Sequence, residues 1–251
     1  MINRVTYRFP LLSRTGEEGE EVPSMRMNTR KLFLPLLVFV LAAWAAACTS
    51  EKDLEVEGNK LISRKPPFTF TLPSDVSLIH YSSKEHPERS SLTRVYFFVK
   101  AKEKQVEEML ILQVADRTNP QAGPMEAPPL KPYTEKRSYL KGKMKKGELE
   151  VEYLIQCMGW NPDASSLQPI TEKGLFIPPH WALQGQFLFL FRGEHAVFLR
   201  YSKDITSFGI KISEKGDDWG KEVISGNEKR VYENFEKNFM QLMDSIRVKI
   251  D

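Results

Sequence analysis

Residues 148–158 place Leu149, Val151, Tyr153 and Ile155 at alternate positions, with Glu148, Glu150 and Glu152 between them. A period of two puts successive side chains on opposite sides of an extended backbone, so this segment reads as a strand with one apolar and one wet face. The same alternation opens residues 66–73, where Phe68, Phe70 and Leu72 take turns with Thr69 and Thr71. Apolar runs at 92–99 and 109–114 flank a polar turn rich in lysine. Runs at 183–191 and 196–201 flank Arg192, Gly193, Glu194 and His195. Each pair predicts a hairpin, and residues 208–212 add one more short strand. No helical crossover separates these runs, which leaves antiparallel pairing as the arrangement open to them.

One segment changes period. After Gly226, residues Val231, Phe235, Phe239, Leu242, Met243 and Ile246 recur at steps of three and four, the apolar stripe of a helix, with Glu228, Lys229, Glu233, Glu236 and Lys237 on its other side. Such a stripe must be buried on another element, and the sheet is the partner available. The predicted fold class is therefore α+β, a mainly antiparallel sheet packed by a long C-terminal helix. Between 116 and 147 the pattern vanishes under Pro120, Pro124, Pro128, Pro129 and Pro132, which predicts a long Pro-rich loop.

The N-terminal quarter follows a different logic. Residues 32–47 are sixteen positions without a charge, preceded by Arg26, Arg30 and Lys31. That is a basic and then apolar export signal, shorter than the roughly 20 residues of a spanning helix. It ends in Ala45-Ala46-Ala47-Cys48, which resembles the lipobox of bacterial lipoproteins; the resemblance implies cleavage between Ala47 and Cys48 and acylation of the Cys48 thiol. The same alanines also fit an A-x-A site of ordinary signal cleavage. Thr49 stands where an aspartate would direct retention at the inner membrane, which points to the outer membrane in hosts that sort lipoproteins in this way. Glu17, Glu18, Glu20 and Glu21 do not suit a signal's basic start, so residues 1–24 read as an upstream extension, with Met25 or Met27 as the start, or as a disordered tail. Residues 25–47 then form the signal, 48–65 a charged tether without aromatics, and 66–251 one globular domain.

Composition narrows the function. The chain has 36 basic and 33 acidic residues; positions 1–47 hold six and four, leaving 30 and 29. A near-neutral body gives no electrostatic reason to expect nucleic acid. With Cys48 committed to lipid, Cys157 has no partner for a disulfide and reads as a small core residue. His80, His86, His180 and His195 form no metal-binding pair, and no nucleophile-elbow, phosphate-loop or dinucleotide pattern occurs. A Cys157–His180 nucleophile and base would need a fold contact that the sequence does not show. Glu214, Asp217 and Asp218 lack calcium-loop spacing and read as a solvated turn. No cofactor, metal or catalytic residue is expected.

The opening strand Phe68-Thr-Phe-Thr-Leu-Pro73 and the closing Phe239-Met-Gln-Leu-Met-Asp-Ser-Ile-Arg-Val248 resemble those of PsbP-like domains, the group of photosystem II extrinsic proteins that also includes bacterial lipoproteins. The resemblance spans 66–250 and implies a PsbP-like α/β sandwich that binds or assembles with other proteins. That fold usually carries helices on both sheet faces, whereas one helix is legible here.

Two sets of residues are candidates for contact with a partner. Trp160 and Trp181 lie beside prolines, where rigid loops make aromatics good anchors or, equally, lids on a sheet edge. Lys143, Lys145 and Lys146 lie in the most basic stretch of the body, suited to anionic headgroups or to a solvated hairpin turn. The expected function is that of a lipid-anchored, non-catalytic envelope protein facing the periplasm, held to the membrane through Cys48 and binding a protein partner. The alternative is a carrier or sensor holding a small apolar ligand between sheet and helix, against Phe187, Phe189 and Phe239.

Overall fold

The computed structural model describes residues 53–178, 181–208 and 219–249. The export signal, Cys48 and most of the expected 208–212 strand lie outside them; Phe208 is described as the last residue of a 3-10 turn.

Eleven strands form two antiparallel sheets among the described residues. The small one has the order β1 (Leu54–Glu57), β2 (Lys60–Arg64), β3 (Pro67–Thr71), β11 (Arg247–Val248). The large one has seven strands. Its order is β4 (Ser77–His86), β5 (Ser91–Lys102), β6 (Gln105–Arg117), β10 (His195–Asp204), β9 (Trp181–Phe191), β8 (Leu149–Gly159), β7 (Ser138–Lys146). Both expected hairpins form. The β5–β6 turn is Glu103-Lys104, with φ of 51° and 70°, the left-handed pair that matches the twist of the strands. The β9–β10 turn uses Arg192 and Gly193 at φ 51° and 65°.

Long helix α2 (Gly226–Asp244) and the small sheet share one face of the large sheet. Register identifies that face. Gly185 stands opposite Ile155 and Tyr201, Tyr201 opposite Leu110, and Leu110 opposite Phe98, and opposed residues point to the same side. Gly185 lies under Phe239 of α2, where an added Cβ would stand 2.6 Å from the ring Cε2. Glycine is what lets the helix come this close. Around it Phe98, Leu110, Leu112, Val197, Leu199 and Phe239 are all fully buried. At about 1.5–3 kcal/mol for each large side chain taken from water, this face supplies most of the fold's hydrophobic stabilisation.

Two sequence expectations are corrected. The 48–65 tether contains β1 and β2, so the folded body begins by residue 54, ahead of the expected 66. Those strands escaped notice because their inward positions are few, Leu54, Leu61 and the small Ser63. The 116–147 loop is shorter: β6 runs on to Arg117, and Ser138–Lys146 is strand β7, paired with β8. Its lysines and Gly142 give no apolar alternation because β7 is an edge strand, held by backbone pairing on one side and kept from further pairing by charge. Strand β4, the opposite edge, is similarly polar.

Candidate functional site

The second face of the large sheet departs most from expectation. At one end it is capped by Trp160, Leu167, Ile170 and Ile177, which close over Phe97, Val99, Met109 and Ile111. The cap is built from a 3-10 turn and the four-residue helix α1 (Gln168–Thr171), where the PsbP-like resemblance implies a full helix layer. Trp160 is thus a lid on the sheet, 8% exposed, and no anchor for an outside partner. Trp181 opens β9, and its side chain lies outside the described residues.

The Pro-rich loop frames two further sides. It leaves β6, packs Pro124 and the Met125 amide on Gly193 of the β9–β10 turn, and crosses β8 with amide bonds from Leu130 to Glu152 (3.1 Å) and from Tyr133 to Gln156 (2.8 Å). Inside the frame, Val95, Leu188, Leu190, Ala196 and Phe198 are half-buried. An antiparallel sheet that turns one face to water normally places polar residues there. Here Val95, Ala115, Ala196, Phe198, Leu188 and Leu190 bring apolar groups to the outward positions of four adjacent strands, interspersed with Thr93, Gln113 and Gln186.

On this face, at the border with the capped end, stands Arg200, half-buried and opposite Ile111 on β6 and Gln186 on β9. Its guanidinium carbon lies 5.0 Å from the Phe198 ring centroid, and burial lowers its pKa from the ordinary 12.5. No hydrogen bond or ion pair to Arg200 occurs among the described residues. Beside it runs an amide row from β8 to β10: Gln156 and Gln186 both donate to Gln184, which donates to Ser202 (3.2 Å).

The helix face holds the other polar clusters, and these are closed. Asp116 accepts from Arg94 and contacts His195 Nδ1, each at 2.6 Å, with all three residues buried. Arg94 also donates to the Lys65 carbonyl at 2.6 Å, tying the chain between β2 and β3 to the large sheet. At the other end Glu108 takes Tyr201 and Lys203. Cys157 is fully buried, and burial pushes its thiol up to about 12, so it is no thiolate at neutral pH; its suggested base, His180, lies outside the described residues.

The cavity required by an apolar carrier is occupied. Phe187, Phe189 and Phe239 are at most 2% exposed, and the Phe187 and Phe239 rings meet at 6.4 Å. Beside α2, a pocket lined by Leu183, Ile205, Val231 and Phe235 has a volume of about 10 Å³, no more than one water needs.

The lysine candidates separate in space. Lys143 and Lys145 are exposed on the half-open side of β7, across from Glu152 and Glu150. Lys143 bonds Glu150 at 2.6 Å, and that bond raises its pKa. Lys146 points to the other face and pairs with Asp244 of α2 at 2.6 Å. Arg200 and its apolar surroundings were missed by sequence reasoning; the available signal was Leu188, Leu190 and Phe198 at positions where alternation calls for polar residues. Comparison of the chain with protein families, with curated proteins and with solved structures returns no match.

Proposed function

We propose that the chain is a lipid-anchored lipoprotein of the cell envelope, tethered through Cys48, whose globular body binds another envelope protein and transforms no substrate. The observation carrying this reading is the framed, half-open sheet face, where Leu188, Leu190, Ala196 and Phe198 form an adjoining apolar group at positions that a water-facing sheet would fill with polar residues. Contiguous apolar surface of this kind on a folded chain marks an interaction site. The antiparallel sheet with its closing helix supports the PsbP-like resemblance, while the short-turn cap departs from it.

Three measurements test the proposal. Mass spectrometry of the natural product should find acyl groups on Cys48, and Cys48→Ser should move the protein out of the membrane fraction. Unmodified Cys48 together with unchanged membrane association of the serine variant would sink the anchoring. For the docking surface, Phe198→Glu should abolish crosslinks to a partner in intact envelopes; undiminished crosslinks would place the binding surface elsewhere.

A further inference from the structure

The buried and half-buried basic side chains divide unevenly. Arg94 has Asp116, Lys203 has Glu108, Arg117 has Glu194 and Lys146 has Asp244. Arg200 has the Phe198 ring, which attracts a cation without neutralising it. The guanidinium is half-buried, with no anion beside it among the described residues; a partner that docked over it would cut it off from water, and a carboxylate brought by that partner would offset the cost. The planar fork of arginine suits a carboxylate bidentately, and Gln186 on the neighbouring strand adds an amide beside it.

The surroundings select the bearer of that carboxylate. Small-molecule sites enclose most of their ligand in a concavity. Here the floor is a stretch of sheet on which half-buried Phe198 and the diagonal Leu188 adjoin Arg200, with Leu190 one pair farther along and Val95 beyond Gln113, a surface on which a stretch of polypeptide can lie along the strands. Arginine and aromatic residues at the centre of an apolar patch are also the usual hot spots of protein interfaces.

We propose that Arg200 receives a carboxylate from the docked partner protein, either an Asp or Glu side chain or the chain terminus, flanked by apolar residues that rest on Phe198 and Leu188. The inference rests on the docking reading given above, and the test separates the two. A photoreactive p-benzoylphenylalanine replaces Leu188 in the full-length chain, which is irradiated in its native envelope with Arg200 intact, as Arg200→Gln and as Arg200→Lys.

The expected result is an adduct to one protein, mapped within a few residues of an Asp, a Glu or a C-terminus. Its yield should fall about tenfold or more in Arg200→Gln, as for loss of one partner of a buried ion pair, and less in Arg200→Lys, which keeps the charge and loses the fork. Lys229→Gln, on the exposed outer side of α2 over the opposite sheet face, should leave the yield unchanged. Equal yield in Arg200→Gln would overturn the role of Arg200 and leave the docking surface standing. No protein adduct from position 188, or one only to lipid or to the chain itself, would overturn both. Should Arg200→Gln not accumulate, the arginine-to-lysine difference carries the test, and equal yields from those two chains would refute the carboxylate fork.

Discussion

Gly185 offers the sharpest test of whether the sheet–helix interior is filled. In Gly185→Ala the new methyl would stand 2.6 Å from Cε2 and 2.7 Å from Cγ of Phe239, closer than carbon atoms in contact. The ring has no room to retreat, because Phe239 is fully buried and flanked by Phe235 at 6.3 Å and Phe187 at 6.4 Å. Either α2 lifts or the phenylalanine leaves its rotamer, at a cost of about 1–3 kcal/mol for an overpacked core. With a urea slope of about 2–3 kcal/mol per M, the unfolding midpoint should drop by about 0.3–1.5 M. Phe239→Ala alone should cost about 3–5 kcal/mol through the hole it leaves. Once the ring is gone, the methyl at 185 meets no obstacle. The double variant should therefore be no less stable than Phe239→Ala, a coupling that recovers the full cost of the single glycine change. A Gly185→Ala protein as stable as the parent, or strictly additive effects, would mean that the ring is loosely seated and that space for an apolar ligand exists after all.

Further outcomes follow from the buried polar groups. Asp116→Ala strands Arg94 and His195 on the helix face and should cost about 3–5 kcal/mol in thermal unfolding, whereas Arg94→Met combined with Asp116→Leu should recover most of it. A single-variant loss below about 1 kcal/mol would show that water reaches the cluster. Cys157 gives stability a pH dependence. Its thiol ionises near 9.0 when unfolded and near 12 when folded, so the unfolded chain holds fewer protons between those values and stability falls by about 1.4 kcal/mol per pH unit as pH rises. Below 9.0 the contribution is fully present, and above 10 the raised phenols of Tyr201 and Tyr232 add to the decline. Cys157→Ala should remove the slope between pH 9 and 10 in urea titrations; an unchanged slope would assign the alkaline loss to other groups.

What the residue pattern revealed depended on whether burial was one-sided. Strand β8 and helix α2 were legible because each buries one face, and period then reports geometry directly. Strand β7 was hidden because an edge strand is stabilised by backbone pairing, which leaves no side-chain signature. Tyr232 was overlooked beside the aliphatic stripe, although it is fully buried between Tyr139 and Trp219, since a hydroxyl disguises an aromatic core position. The Arg94–Asp116–His195 cluster joins residues 22 and 79 positions apart in sequence, a juxtaposition that strand order creates and local pattern does not contain. Arg200 was invisible for the opposite reason: its own neighbours in sequence look ordinary, and that no described residue brings an anion to it is a fact of three dimensions only.

The pairing of Phe68 and Thr69 with Val248 and Arg247 has a consequence for how the molecule comes into being. The beginning and the end of the folded body are stitched to each other, and Ser245 at the foot of α2 reinforces the seam by accepting the amide of Thr71. The edge of β3 stays unpaired until residues 245–248 arrive. A chain exported as proposed would reach the far side of its membrane with that seam still open, and would close only after its tail had followed.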